Sequence, residues 1–436
     1  MSSLCIESMM NAMAEMFHEF EWRGLVANAT EGARELIARE KVAAYAGFDP
    51  TASSLHVGHL LPIVALKRLQ RFGHSPIAVI GGGTGMIGDP SGKTVERTLL
   101  AAQDVEANVD AVRAQLSRLL EKHAEGPAVR FVDNADWLTK MTAMEFLRDV
   151  GKSFTVNYLL AKESVDRRLG NEEGISFTEF SYSLLQAYDF LVLHDRFKCT
   201  LQLGGSDQWG NIVAGCDLIR KLRGKHAHGI VMPLLMTASG VKFGKSETGT
   251  VWLDAARTSP FDFYQFWLNT DDRDVADYLK YFTFRSQAEI GELEQAVKLR
   301  PEQREAQRAL AREVTEMVHG ADHVARVEKA TTVLFGGPLA QASVDDILMV
   351  FDDAPSITIK AAVLEAGIPV AEVAVKTGLA VSKAEAGRLI KQGGLYVNDQ
   401  RYKDDRGSLT FADAIGRSVI VLRKGQRERR IVKIQE

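Results

Sequence analysis

Apolar runs and helical periodicity alternate along the first half of the chain. Val42–Phe48 and Pro76–Ile80 are short, nearly continuous apolar stretches, each closed by glycine and turn residues and followed by helical spacing. That pattern predicts strands buried on both faces. Val129–Val132 and Cys199–Leu203 read as further strands, and Asn211–Leu222 as the helix after the latter. Strand–helix alternation predicts an α/β fold with a doubly wound parallel sheet (Rossmann-type), whose ligand sits outside the carboxyl ends of the strands. Residues 136–169 interrupt the alternation with a helical pattern and read as an insertion. From Ser259-Pro260 the chain reads as helices, opened by a cap-plus-proline start. Ser286 and Glu289 have capping-box spacing before another. Asp352–Gly367 contains Pro355 and little periodicity, and reads as a linker. Two short helices follow, then Gly393-Gly394 and strands around Leu395–Val397, Val419–Leu422 and Ile431–Ile434. The expected organisation is a leader over 1–21, a doubly wound domain over 22–247, a helical domain over 248–351, a linker over 352–367, and a small α+β domain over 368–436.

Composition narrows the class. With 436 residues, 46% hydrophobic and 25% charged, the chain is globular and long enough for two or three domains. Cys5, Cys199 and Cys216 are odd in number and far apart, so neither a disulfide framework nor a zinc spacing is offered; a reducing, cytoplasmic setting fits. No apolar run approaches the roughly 20 residues that span a bilayer. Met1–Glu15 lacks the basic flank and apolar block of a signal peptide, and reads either as a frayed leader or as an extension ahead of a start at Met16. The net charge of −4 is uneven: from Lys383 onward there are 13 Lys and Arg against 7 Asp and Glu. A basic tail on an acidic body suits a polyanionic partner, although ordinary surface charge would also account for it.

Three glycine-rich segments compete as phosphate sites. Gly81-Gly82-Gly83-Thr84-Gly85-Met86-Ile87-Gly88 contains a formal dinucleotide fingerprint, but Asp89-Pro90-Ser91-Gly92 follows at once and favours a turn over the required helix start. Gly88 to Thr94 imitates a P-loop with one residue too few to form the same nest of amides. His56-Val57-Gly58-His59 lies at an expected helix N-terminus, where unpaired N–H groups and the dipole favour phosphate; alone, a histidine pair is more often structural. Lys242-Phe243-Gly244-Lys245-Ser246 adds two ammonium groups in a glycine-containing loop, able to meet a triphosphate as charge develops. Alone, that loop is a solvated basic turn.

Together the two resemble the HIGH and KMSKS signatures of class I aminoacyl-tRNA synthetases, in matching order and separation. Tyr45 to Thr51, Gly85 to Lys93, Ser176 to Asp189 and Gln202 to Asn211 are each similar to bacterial tyrosyl-tRNA synthetases. The resemblance runs from about Trp22 to the C-terminus and is densest up to Thr283.

The resemblance implies tyrosine activation by ATP, followed by transfer to tRNA(Tyr). It places Tyr45 and Asp189 at the phenol, Asp89, Tyr182 and Gln186 at the ammonium, Gln208 near the carboxyl, and Asp49 beside the reacting groups. It places Gly58, Gly205 and Asp207 on the nucleoside, His59 on its ribose side, and Thr51 with His56 on the departing phosphates. Lys93, Arg97, Lys242 and Lys245 would clamp the pyrophosphate, with Mg2+ arriving on ATP and no metal ligated by the protein. Independently, Tyr182, Gln186 and Asp189 recur at i, i+4 and i+7, the spacing of one helix face; a core tyrosine and an exposed aspartate would share that spacing. Ser382–Asn398 resembles an αL-type RNA-binding motif, with Gly387 where many relatives carry a basic residue. Its contacts are expected from Lys383, Arg388, Lys391, Arg423, Lys424 and Arg427. The helical segment 248–351 would read the anticodon, and the family implies a homodimer without membrane association. A tryptophanyl-tRNA synthetase and a catalytically silent RNA-binding homologue are the competing readings.

Overall fold

In the computed structural model the described residues are 16–91, 99–122, 124–170, 174–241, 243–246, 249–334, 339, 343–351, 354–425 and 428–435. They form two compact units, one of residues up to 259 with 265–318, the other of 260–264 with 319–436. The helical run expected over 248–351 is therefore divided between them.

The first unit is built on a six-stranded sheet: β1 (Asn28–Ala29), β2 (Ala43–Phe48), β3 (Ser75–Ile80), β4 (Arg130–Asp133), β5 (Cys199–Gly205) and β6 (His228–Met232), in the order β1-β6-β5-β2-β3-β4. Every pairing is parallel except β1 on β6. Counting outward from β2, the chain runs to β3 and β4 on one side, then returns to place β5 and β6 on the other. The switch point thus lies between β2 and β5, where a doubly wound sheet opens a crevice at its carboxyl edge. The apolar runs read from the sequence are the central strands: Ala44, Ala46, Phe48, Ile77, Ala78, Val79, Ile80, Leu201 and Leu203 are all buried.

Helices Leu60–Arg71, Ala102–Glu121, Phe177–Phe197 and Trp209–Arg223 connect these strands. The Phe177–Phe197 helix starts where Ser176 Oγ accepts from Glu179 N, and stops at Lys198 in the left-handed region with φ 57°. Its inner face packs Phe190 and Leu193 with Leu218 and Ile219 of the next helix. Residues 136–169 are helical in short pieces. Beyond the sheet, β7 (Lys245–Ser246) and β8 (Gly249–Thr250) form a small hairpin. The capping box at Ser286 is present: Glu289 N donates to Ser286 Oγ at 3.3 Å and Ser286 N to the Glu289 carboxylate at 2.8 Å.

In the second unit β9 (Ser356–Lys360), β11 (Leu395–Val397), β12 (Gln400–Arg401), β14 (Val419–Lys424) and β15 (Glu428–Gln435) form a sheet in the order β12-β11-β14-β15-β9. β10 (Ile368–Pro369) pairs separately with β13 (Ser408–Leu409). The segment read as a linker over 352–367 is here structured. Ser356–Lys360 pairs in parallel with Ile431–Gln435, and a helix follows over Ala361–Ala366. As an edge strand β9 buries Ile359 and leaves Ser356, Thr358 and Lys360 exposed, so its apolar signal is thin.

Candidate active site

A cavity of about 400 Å³ opens at the switch point. Tyr45, Asp49 and Thr51 reach it from β2 and the loop beyond, and Asp89 from the turn after β3. Tyr182, Gln186 and Asp189 enter from one helix face, and Gly205, Asp207 and Gln208 from the end of β5, while His56, Gly58 and His59 stand at its rim. The structure thus brings together the tyrosine and nucleotide candidates whose side chains it describes. Lys93, Arg97, Lys242 and Arg427 lie outside the described residues. Lys245 begins β7.

The closed end is built for a polar tip. Tyr45 is 2% exposed, packs edge-on to Phe190 with ring centroids 5.2 Å apart, and its hydroxyl has no hydrogen-bond partner among the described residues. Near it, Asp189 is 4% exposed; Asn134 Nδ2 donates to one of its oxygens at 2.9 Å and Trp137 Nε1 to the other at 2.7 Å. Burial raises the Asp189 carboxyl to about 7, with those two donations pulling the other way. Farther out, Asp49 accepts from Thr84 Oγ1 at 2.8 Å and Tyr182 Oη at 2.9 Å. Burial first, then Asp49 and Asp89, hold the Tyr182 phenol well above its ordinary range, so it stays a neutral donor.

Asp89 accepts from Ser91 N at 2.9 Å and from Gln208 Nε2 at 2.6 Å. Asn211, 4% exposed, is the hub behind them. Its Nδ2 faces Gln186 Oε1 at 3.1 Å, Ser91 Oγ at 3.2 Å and Gln208 Oε1 at 3.3 Å. Holding the carbonyl of Gln208 turns its NH2 group toward Asp89. Asn134, Trp137, Thr84 and Asn211 were not among the residues singled out from sequence. Asn134 and Trp137 follow β4 within four residues, so the rule that ligands sit beyond the carboxyl ends of parallel strands is the signal that would find them.

At the rim, Gly58 N donates to His56 Nδ1 at 3.1 Å and His56 N to His59 Nδ1 at 3.2 Å, and the two rings stand 4.0 Å apart. Each Nδ1 is thereby an acceptor, which assigns the imidazole hydrogen to Nε2. The lysine-bearing loop comes to this same place. Val57 N donates to Val251 O at 3.0 Å, and Val251 N to Gly244 O at 3.2 Å. Gly244 has φ 87°, and a Cβ there would fall 2.9 Å from Val57 Cγ2, so the approach requires glycine. Phe243 anchors the loop against Trp267, Tyr278 and Phe282 at centroid distances of 5.0–5.6 Å. The two signature segments, nearly two hundred residues apart in sequence, are bridged through the backbone of Val251.

The profile of the family "tRNA synthetases class I (W and Y)" matches residues 38–336, and that of the "Tyrosine--tRNA ligase SYY-like C-terminal domain" matches 346–432. The Tyrosine--tRNA ligase of Roseiflexus castenholzii is 53% identical over 97% of this chain and 100% of its own length. That of Geobacillus stearothermophilus is 48% identical over 96% and 99%. The chain belongs to the tyrosine–tRNA ligases. A C-terminally truncated mitochondrial tyrosyl-tRNA synthetase from Coccidioides posadasii superposes with a TM-score of 0.65 at 33% identity, covering 74% of this chain and 96% of its own. For this tyrosine–tRNA ligase family member, four of the basic candidates of the second unit are engaged internally. Lys383 pairs with Glu372 at 2.8 Å, Lys391 with Asp405 at 3.0 Å, Lys424 with Glu385 at 3.5 Å and Arg423 with Asp399 at 2.7 Å. Arg388 lies in the last turn of the Lys383–Lys391 helix.

Proposed function

We propose that the cavity receives tyrosine with its phenol at the closed end, between Tyr45 and Asp189, and its ammonium among Asp89, Tyr182 and Gln186. The chain is a class I ligase that joins tyrosine to tRNA(Tyr) at the expense of ATP. In activation a tyrosine carboxylate oxygen bonds to the α-phosphorus while the bond to the β-phosphate bridge breaks, releasing pyrophosphate. A terminal tRNA hydroxyl then bonds to the carbonyl carbon, and AMP leaves. Neither step needs a covalent bond to the enzyme, so positioning and charge stabilisation carry the rate.

In this reading Gln208 meets the carboxyl region, Asp49 orients Tyr182 beside the reacting groups, and Gly58, Gly205 and Asp207 hold the nucleoside. His59 takes the ribose side, and Thr51 with His56 the departing phosphates. Lys93, Arg97, Lys242 and Lys245 neutralise the pyrophosphate, to which Mg2+ comes already bound, because it prefers phosphates and water. Lys383, Arg388, Lys391, Arg423, Lys424 and Arg427 meet tRNA phosphates, and the helices after residue 248 face the anticodon. We place the enzyme in the cytoplasm as a homodimer. Met144, Leu147, Val156, Leu160 and Phe177, all large, apolar and exposed around the insertion, support the pairing.

The observation that carries the substrate is the buried Tyr45 hydroxyl, unpartnered among the described residues, near the Asp189 carboxylate. A site made for a hydroxyl rejects the analogue lacking it, because its polar groups are then left unpaired; selectivity of about 10⁴–10⁵ over phenylalanine is the general scale, and tyrosyl-tRNA synthetase is the source of that figure. ATP–pyrophosphate exchange driven by tyrosine, phenylalanine or tryptophan tests this reading. Tyrosine is expected to dominate, Tyr45→Phe to lower its advantage by about threefold to tenfold, and an exchange driven best by another amino acid would overturn the reading.

A further inference from the structure

Lys162 is a buried cation beside the substrate platform that takes no part in either chemical step. It sits between the insertion helices Val156–Leu160 and Glu163–Leu169, and is only 9% exposed. A lysine gives up hydration at that depth only for specific partners. Its Nζ donates to the Gly210 carbonyl at 3.1 Å and lies 5.4 Å from the Tyr158 ring centroid. Gly210 is the second residue of the Trp209–Arg223 helix, between Gln208, whose amide holds Asp89, and Asn211, whose amide holds Gln208. The ammonium is also attracted by Asp89 and Asp217.

We propose that Lys162 is a positioning residue for tyrosine activation, locking the Gln208–Asn211 segment to the insertion so that Asp89 faces the substrate ammonium and Gln208 its carboxyl region. This rests on the reading that Asp89 receives that ammonium. The insertion then serves more than packing, since it reaches under the substrate platform and fixes it with one charged bond. Burial lowers Lys162 to about 8, against the attraction of Asp89 and Asp217, while the neighbouring Tyr158 phenol is itself raised by burial to about 12 and stays neutral. The group on which the platform depends therefore changes charge within the range of an activation assay. A neutral amine donates a weaker bond to Gly210 and no longer balances Asp89.

The test is tyrosine activation by the full-length enzyme, comparing wild type with Lys162→Met and Lys162→Arg across pH. Lys162→Met is expected to raise the KM for tyrosine about tenfold near neutral pH, leaving the KM for ATP and the melting temperature close to wild type. The alkaline bend in kcat/KM near pH 8 is expected in wild type and absent from Lys162→Met; Lys162→Arg keeps most of the activity without that bend. Titration of the substrate's own amine is common to all three proteins. A wild-type KM for tyrosine in Lys162→Met, or a bend that survives it, overturns the proposal. So does an effect confined to transfer onto tRNA, or a joint loss of stability and ATP affinity that Lys162→Arg fails to rescue. Asp89→Asn separates the two layers. If it leaves the KM for tyrosine unchanged, the ammonium reading falls and the Lys162 proposal with it. If it raises that KM while Lys162→Met does not, only the Lys162 proposal falls.

Discussion

Asp189 shows how one carboxylate can serve binding and oppose folding at once. Its ionised form accepts from Asn134 and Trp137 and offers remaining lone pairs to a phenol, yet burial holds the carboxyl up at about 7. In the unfolded chain an aspartate titrates near about 3.9. A carboxyl raised on folding supplies stability that is complete below the unfolded value and is lost as pH rises through the folded one. Between mildly acidic and mildly alkaline pH, then, stability from this group falls while the acceptor for the phenol fills. We expect tyrosine affinity to increase through about pH 7 in the wild type as the melting temperature loses the Asp189 contribution. Asp189→Asn removes both slopes. Equilibrium tyrosine titrations and thermal melts of the two proteins check this, and equal slopes in wild type and variant would count against Asp189 as the titrating acceptor.

Among the elements, the insertion and the long helix after it are joined by a pair that sequence inspection passes over. Arg168, at the end of the Glu163–Leu169 helix, meets Glu179 in the first turn of Phe177–Phe197, and the two side chains are 3% and 2% exposed. Removing one partner of a buried pair strands the other charge, which costs about 3–5 kcal/mol, whereas replacing both with apolar groups is often near neutral. Arg168→Ala is therefore expected to destabilise the first unit by that amount, and Arg168→Met with Glu179→Met to recover most of it. Chemical denaturation of the single and double variants checks the pair, and a double variant as weak as the single would show that packing, not stranded charge, sets the loss. The same elements show where sequence reading reaches its limit. Central strands such as Ile77–Ile80 declare themselves because both faces are buried and every residue is apolar. The helix face of Tyr182, Gln186 and Asp189 declares itself through spacing. β6, whose apolar stretch is short, and β9, which buries only Ile359, carry too few apolar positions to register locally. Asn134, Trp137 and Asn211 matter through contacts 25 to 120 residues away in sequence, a relation that local pattern does not encode.

For the whole molecule the question is which part of the chain the chemistry needs. The first unit holds the entire cavity, and the C-terminally truncated relative from Coccidioides posadasii matches 74% of this chain over 96% of its own length. A cut after Asp352, at the sequence-expected linker, would leave an apolar scar. Ile347 and Phe351 pack with Val419, Val421 and Ile431 of β14 and β15, so the Val344–Val350 helix belongs to the C-terminal sheet's own core. Exposing those side chains invites aggregation that would be mistaken for a catalytic defect. A chain ended after Leu334 removes that helix together with the sheet it covers. We expect this shorter protein to retain tyrosine-dependent ATP–pyrophosphate exchange and to lose tRNA charging, because Lys383, Arg388, Lys391, Arg423 and Lys424 are gone. In the full-length enzyme tRNA affinity should fall steeply with salt, as counterion release requires. The slope is expected to be shallow for the number of basic residues present, since four of them already hold carboxylates that phosphates must displace. Glu372→Gln frees Lys383 from its partner and should tighten tRNA binding at low salt while leaving exchange unchanged. Filter binding across a salt series, alongside exchange and charging assays, measures all three quantities. Undiminished tRNA charging by the shortened chain would remove the C-terminal sheet from the reaction, and unaltered affinity in Glu372→Gln would place the tRNA on another face.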